Sequence, residues 1–186
     1  MQLRLPDPPL RWEGALLRPW AAEDAGVLFA AWTDPTIARW NPVPPEATVE
    51  RAIEWIDGCE ARLANGNSLD LCIQASMIGG EGPVGEVGLS GFDADRGAAM
   101  IGYWLLPDAR RHGLAGRAVD AVAEWALSPE GLGLQLLVAQ CGAANLASQG
   151  VARRARFVHA RNDGAGHELW VRRALLPQEP SSGSFG

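Results

Sequence analysis

The spacing of apolar residues changes period several times along this chain of 186 residues. Residues 68–75 (SLDLCIQA) alternate apolar and polar side chains, the two-residue period of a half-buried strand. Two further strands follow at 84–92 and 98–106, joined by Asp93-Ala94-Asp95-Arg96-Gly97, a turn by composition. The glycine-rich stretch 77–83 has the makeup of a hairpin connection. The period then becomes helical, with Ala115, Ala118, Val119, Val122, Trp125 and Ala126 on one face of a helix over 114–127. Ser128-Pro129-Glu130-Gly131 stops it.

Upstream, residues 1–9 are proline-rich and extended, 13–19 read as a short strand, and 21–32 carry Val27, Leu28, Ala31 and Trp32 at helical spacing. Prolines 35, 42, 44 and 45 mark 33–45 as a loop, and 46–63 read as a second helix. Downstream, 134–140 predict a fifth strand, 145–155 a helix, and 156–161 and 167–174 the last two strands. The order β-αα-βββ-α-β-α-ββ predicts one α/β domain with a mixed sheet of about seven strands and four helices. Its expected bounds are an extension over 1–12, the domain over 13–176 and a disordered tail over 177–186.

Composition narrows the function classes. A hydrophobic fraction of 47% suits a sizeable core, and a net charge of −6 argues against a nucleic-acid surface. An acidic balance suits a cationic acceptor and serves solubility equally well. Cys59, Cys72 and Cys141 lack metal-ligand spacing and read as reduced thiols of a cytoplasmic protein, so no metal is expected. No apolar run is long enough to span a membrane, and residues 1–9 do not read as a signal peptide.

The candidate chemistry lies in Pro107-Asp108-Ala109-Arg110-Arg111-His112-Gly113-Leu114-Ala115-Gly116-Arg117, between the strand MIGYWLL (100–106) and the helix. A strand that turns through glycines into a helix start presents free backbone N–H groups and the positive end of the helix dipole to an anion such as a pyrophosphate. Gly113 and Gly116 admit a close backbone approach, and Arg110, Arg111 and Arg117 add charge-assisted contacts. A nucleotide loop of the Gly-Lys-Ser/Thr kind does not fit Gly116-Arg117-Ala118, and Arg111 breaks a dinucleotide-type glycine pattern.

Arg110-x-x-Gly113-x-Ala115 resembles the acyl-CoA pyrophosphate loop of the GNAT superfamily of N-acetyltransferases. Asn145-Leu146-Ala147-Ser148, followed by Arg154 and Phe157, resembles that family's Asn-x-x-Ser helix, with Arg156 where a glycine is usual. Ile101-Gly102-Tyr103-Trp104 resembles a strand of the ribosomal-protein N-terminal acetyltransferase branch. The resemblance implies a GNAT-like, mostly antiparallel sheet with splayed central strands. It implies acetyl-CoA as cosubstrate, held by Leu105, Leu106, Arg110, Arg111, His112, Gly113, Leu114, Ala115, Gly116, Arg117, Asn145 and Ser148. The expected acceptor is a primary amine, either a protein N-terminus or a small molecule such as an aminoglycoside-like polyamine. A homodimer is common in that branch.

The resemblance also exposes two gaps. The position of its usual base is Met100, which cannot accept a proton, and the position of its usual acidic tyrosine is Ala152. Glu86, Asp93 and Asp95 are the substitutes as base, Glu86 foremost, and Ser148 is placed to protonate the departing thiolate. Trp32, Trp40 and Tyr103 are candidates for the acceptor pocket, although helical tryptophans such as Trp32, Trp40 and Trp55 also pack cores. The two gaps leave open an alternative in which the fold binds acyl-CoA without turnover, as a sensor or scaffold.

Overall fold

The computed structural model describes residues 2–77 and 80–175, so the tip of the 77–83 connection and the 177–186 tail lie outside the described residues. Glu13 and Gly14 close a tight turn in which Gly14 takes φ +77°, a conformation that favours glycine. The turn pairs β1 (Arg11–Trp12) with β2 (Ala15–Arg18). The expected single strand over 13–19 is therefore the second arm of a hairpin.

A 3-10 turn leads into α1 (Ala25–Thr33). Next comes α2 (Pro35–Trp40), where a loop is expected from the prolines. Pro35 occupies the first helical turn, the one place where proline suits a helix, and Asp34 Oδ1 caps it by accepting from Ile37 N–H at 2.7 Å. Asn41 precedes Pro42, which disfavours a further turn. The expected helix over 46–63 begins later, at the cap Thr48, and breaks at Gly58 into α3 (Val49–Asp57) and α4 (Cys59–Ala64).

Then come β3 (Ser68–Met77), β4 (Gly80–Asp93) and β5 (Ala98–Leu105). The rest of the chain is α5 (Leu114–Leu127), β6 (Leu136–Gly142), α6 (Leu146–Arg154), β7 (Val158–Asn162) and β8 (His167–Arg173). The sheet runs β1-β2-β3-β4-β5-β6-β8-β7, eight strands rather than seven, and every pairing is antiparallel except β5 with β6. With α2 and the split at Gly58, the described residues form six α-helices rather than four.

The sheet buries both faces. Leu69, Leu71, Val87, Leu89 and Ile101 point to one side and pack on Val119, Val122 and Ala126 of α5 and Ala152 of α6. Cys72 points to the other side, among Trp20 and Leu28, Ala52 and Ile56 of α1 and α3. Arg18 and Asp24 anchor that second layer. Asp24 is 2% exposed and accepts from both terminal guanidinium nitrogens of Arg18, at 2.6 and 2.8 Å, and from Ala21 N–H at 2.9 Å. Burial alone would raise the Asp24 pKa, but the arginine and the amide outweigh it and hold the carboxyl below its ordinary value.

Asp24→Asn leaves Arg18 half-paired and should cost about 2–3 kcal/mol, lowering Tm by roughly 4–10 °C. Because the folded pKa is depressed, this stabilisation is present above the unfolded value of about 3.9 and is lost as pH falls through the folded value. The gap between wild type and variant in thermal melts should therefore shrink at acid pH.

Candidate active site

β5 and β6 pair at Ala98, Ala99 and Met100 with Leu136, Leu137 and Val138, and then part. β5 continues to Leu105 held by β4 alone, and β6 continues to Gly142 held by β8 alone. Two strand edges thus face each other across a wedge, each with main-chain donors and acceptors that a neighbouring strand would otherwise use. The wedge opens into a cavity of about 750 Å³ floored by Ile101–Leu105 and Gln140–Gly142 and walled by α2, α5 and α6. An extended, amide-rich ligand fits such edges as an added strand does.

The loop from β5 to α5 closes one end. Arg111 (φ 68°) and Gly113 (φ 78°) both take left-handed conformations, and Gly113 immediately precedes the first residue of α5. Among the described residues no acceptor meets the backbone N–H groups of Arg111 to Gly116. The first amide to bond back is that of Arg117, to Gly113 O at 3.2 Å. Unpaired amides at a helix start, with Arg153 and Arg154 of α6 also lining the cavity, match the charge and donor needs of a diphosphate.

Arg110 also lines the cavity, and its guanidinium is held by the protein itself. Its guanidinium donates to Leu105 O at 3.0 Å and pairs with Asp34 at 3.1 Å, so it ties the loop to β5 and to the cap of α2. Gly113, Leu114, Ala115, Gly116, Arg111 and Leu105 line the cavity as expected, whereas Leu106, His112 and Arg117 stand outside its lining. Gly116 faces α6, where a Cβ would make an ordinary contact with Arg154 Cβ at 3.5 Å.

Across the cavity, Asn145 caps α6 by accepting from Ser148 N–H at 3.1 Å. Ser148 Oγ lies 2.9 Å from Tyr103 Oη and donates to Cys141 Sγ at 3.2 Å. Tyr103 Oη also donates to Ser148 O at 2.9 Å. Burial raises the pKa of both Tyr103 and Cys141, so both keep their protons at neutral pH. The sequence singled out Tyr103 and Ser148 separately. The structure joins them, and adds Cys141, which had no identifiable partner in the sequence.

A second cavity, about 290 Å³, lies on the opposite face of the sheet between α1, α2 and α3, and is lined by Trp32, Trp55, Asp70, Glu86 and Trp104 among others. It shares Gly102, Tyr103 and Trp104 with the first cavity. Strand register puts Glu86 opposite Trp104, and Gly88 opposite Gly102. No atom lies within 4 Å of where a Gly102 Cβ would stand, whereas a Cβ at Gly88 would meet Leu69 O at 3.0 Å and Asp70 Oδ1 at 3.3 Å.

Glu86 Oε2 is buried without a hydrogen-bond partner although the indoles of Trp20 and Trp104 flank it. Burial foremost, and then the charge of Asp70, push its carboxyl up to about 8, against smaller opposing effects from the two indoles and Arg62. Asp70 is itself held by Arg62 Nε at 3.2 Å and Ser68 Oγ at 2.7 Å.

The other candidates separate cleanly. Asp93 is engaged by Arg96 at 2.9 Å with a lowered pKa, and neither it nor Asp95 lines a cavity. Trp32 lines the smaller cavity, but Trp40 lies in the larger one, against Gly142, where a Cβ would collide with its ring. Met100 is exposed on the sheet and offers no acceptor. Among the described residues no cluster of His, Cys, Asp or Glu could hold a metal, and no helix is long and apolar enough to cross a membrane.

Gly113→Ala places a Cβ on a left-handed residue at the loop's pivot, at a cost of about 1–2 kcal/mol. It should weaken coenzyme A binding by roughly tenfold in titration calorimetry.

Three solved structures share this fold. Ribosomal-protein-S5-alanine acetyltransferase from Vibrio fischeri is 18% identical with a TM-score of 0.74, covering 89% of this chain and 96% of its own. RimJ from Mycobacterium smegmatis, in complex with CoA-disulfide, is 21% identical with a TM-score of 0.74, covering 89% and 86%. The microcin C7 self-immunity acetyltransferase MccE, in complex with acetyl-CoA and AMP, is 18% identical with a TM-score of 0.71, covering 87% and 93%. No curated protein matches the chain in sequence. Residues 15–158 match the acetyltransferase (GNAT) domain, and the chain, with its wedge between β5 and β6 and its open amides before α5, belongs to that family of acetyl-CoA-dependent transferases.

Proposed function

We propose that this protein transfers an acetyl group from acetyl-CoA directly to a primary amine seated in the smaller cavity, with Glu86 as the base. The observation that carries the reading is the unpartnered, buried Glu86 Oε2 in a cavity that meets the cofactor wedge at Gly102–Trp104. Acetyl-CoA supplies the thioester carbonyl. The edges of β5 and β6 orient its pantetheine arm, and the amides of Arg111–Gly116 with Arg153 and Arg154 hold its diphosphate. This leaves Arg110 as a brace between the loop and α2.

An amine attacks only when its nitrogen carries a lone pair, and the attack leaves it one proton in excess. Glu86 takes that proton, which requires the carboxylate form. Below about pH 8 the carboxyl holds its own proton, so the active fraction grows as pH rises past that value. The ionisable groups around it are Asp70 and Cys72 on β3 and Cys59 and Arg62 on α4. Burial holds both thiols near 12, so over the working range they stay neutral.

On the cofactor side the departing sulfur needs a donor. Ser148 supplies one by turning its single O–H from Cys141 Sγ to the sulfur, with Tyr103 Oη 2.9 Å from its oxygen. Ser148 thus occupies the role that Ala152 leaves vacant, as Glu86 does for Met100. These two substitutions favour turnover over the sensor reading. The acceptor class extends to protein N-termini and small amines alike.

The test is thiol release from acetyl-CoA with a panel of amines. Glu86→Gln should lower kcat by about 10²–10³-fold with CoA affinity unchanged. With an acceptor already neutral at pH 6, the wild-type rate should rise toward pH 8 and level off, and the variant should lose that limb. Absence of thiol release with every amine would favour the sensor reading instead. Tyr103→Phe and Ser148→Ala should each lower kcat by roughly tenfold, with smaller changes in CoA Kd.

A further inference from the structure

The smaller cavity also carries a statement about which amine it takes. Among the described residues its lining carries two acids, Asp70 and Glu86, the latter a carboxylate in the form that acts as base, and no arginine or histidine lines it. The cation that acts on Glu86, Arg62, is held by other groups through each of its three nitrogens. It bonds Asp70 at 3.2 Å, Trp55 O at 3.0 Å and Cys59 Sγ at 3.0 Å, and its guanidinium lies 4.2 Å from the Trp55 ring centre. A carboxylate or phosphate beside the incoming nitrogen would meet like charge and find no counter-ion.

Asn41, Ser90 and Tyr103 add neutral polar groups, and the rest of the lining is apolar or glycine. Trp32, Trp55 and Trp104 line the cavity, and Trp104 is fixed by stacking on Trp20 at 6.0 Å, with Trp20 edge-on to Trp55 at 6.3 Å. Preset indole faces favour both an apolar body and the positive edge of an ammonium. Asp70 already bonds Arg62 and Ser68 through Oδ2, so a second ammonium on the same ligand would gain less from it than from an unpaired carboxylate. Glu86, the other acid of the lining, has no ion-pair partner among the described residues to hold its carboxyl. The volume of about 290 Å³ equals that of roughly ten waters, enough for one ring and a short arm.

Resting on the acetyl-transfer reading above, we propose that the acceptor is a primary amine on an aromatic or otherwise apolar body with no anionic group beside the nitrogen. An arylalkylamine and a peptide beginning with an aromatic residue share this chemistry. Free amino acids, nucleotide-linked amines and polyamines do not.

The experiment compares kcat/KM of the full chain for phenethylamine, phenylalaninamide, a phenylalanine-initiated tripeptide amide, free phenylalanine and spermidine, read by mass spectrometry of the acetylated amine. The chain contains no lysine, so acetylation of its own ε-amines cannot confuse the readout. Phenethylamine and phenylalaninamide should exceed phenylalanine by about 100-fold, the penalty of an unpaired carboxylate beside Glu86. A higher value for the tripeptide amide identifies a peptide source, and a higher value for phenethylamine a free amine; both agree with the proposal. Trp32→Ala should raise KM for phenethylamine at least about fivefold more than KM for ethylamine, as expected if the indole grips the ring. Phenylalanine equal to its amide, spermidine ahead of phenethylamine, or equal effects of Trp32→Ala on the two amines would each overturn the acceptor class while leaving acetyl transfer intact. Acetylation of none of the five would overturn acetyl transfer and, with it, this proposal.

Discussion

The separation of β5 from β6 after Met100 is the constraint on which the rest of the molecule depends. Three residue pairs of parallel pairing fix the direction of both strands, and every main-chain group beyond them on the facing edges needs another partner. α5 makes this arrangement stable. It crosses from β5 to β6 with Ala118, Val119, Val122, Ala123 and Ala126 all fully buried, so the two half-sheets stay joined through its core face although their edges do not meet. The wedge is therefore held open by packing, at the cost of unpaired edges that a ligand's amides can satisfy.

The same crossover sets the chemistry at both ends of the wedge. Where β5 turns into α5, the chain goes through two left-handed residues and leaves six successive amides without protein acceptors. Where β6 runs into α6, Asn145 caps the helix and puts Ser148 against Tyr103 of β5. A single ligand lying along the wedge touches both. The alternation of side chains along β5 then sends Tyr103 and Trp104 to opposite faces of the sheet, and both residues border the two cavities. Gly102, without a side chain, sits between the two cavities.

Glu86 gains its unusual proton affinity from the second hydrophobic layer rather than from a neighbouring catalytic group. Tryptophans 20, 55 and 104 fill the space around it, and the arginine that could have neutralised it is drawn to Asp70 and Trp55 instead. The result is a carboxyl beside the cavity with one buried oxygen lacking a hydrogen-bond partner and a pKa near the working pH. Arg18 and Asp24, farther down the same layer, show the contrasting case, in which complete pairing holds a buried carboxylate below its ordinary value.

Sequence by itself determined the features that rest on local chemistry. The helix Leu114–Leu127 has its observed bounds because Gly113 and Pro129 flank an unbroken apolar face, and Asn145 caps α6 through a bond only three residues long. The order of strands and helices along the chain was legible as far as alternation and turns dictate it, whereas Glu86 came only as a substitute for the base that Met100 cannot be. Elements whose signals depend on context were not legible. Proline at 35 reads as a breaker until its place in the first helical turn is known, and Gly58 does not announce a break inside an otherwise helical run. Tertiary structure alone decided the couplings: Arg110 with Asp34, 76 positions apart, Tyr103 with Ser148, and Trp40 lying on Gly142 in the cofactor wedge and not in the acceptor cavity. Periodicity says which face of an element a residue occupies, but which residue of another element it meets is set by how the packed layers register, and that information is not local.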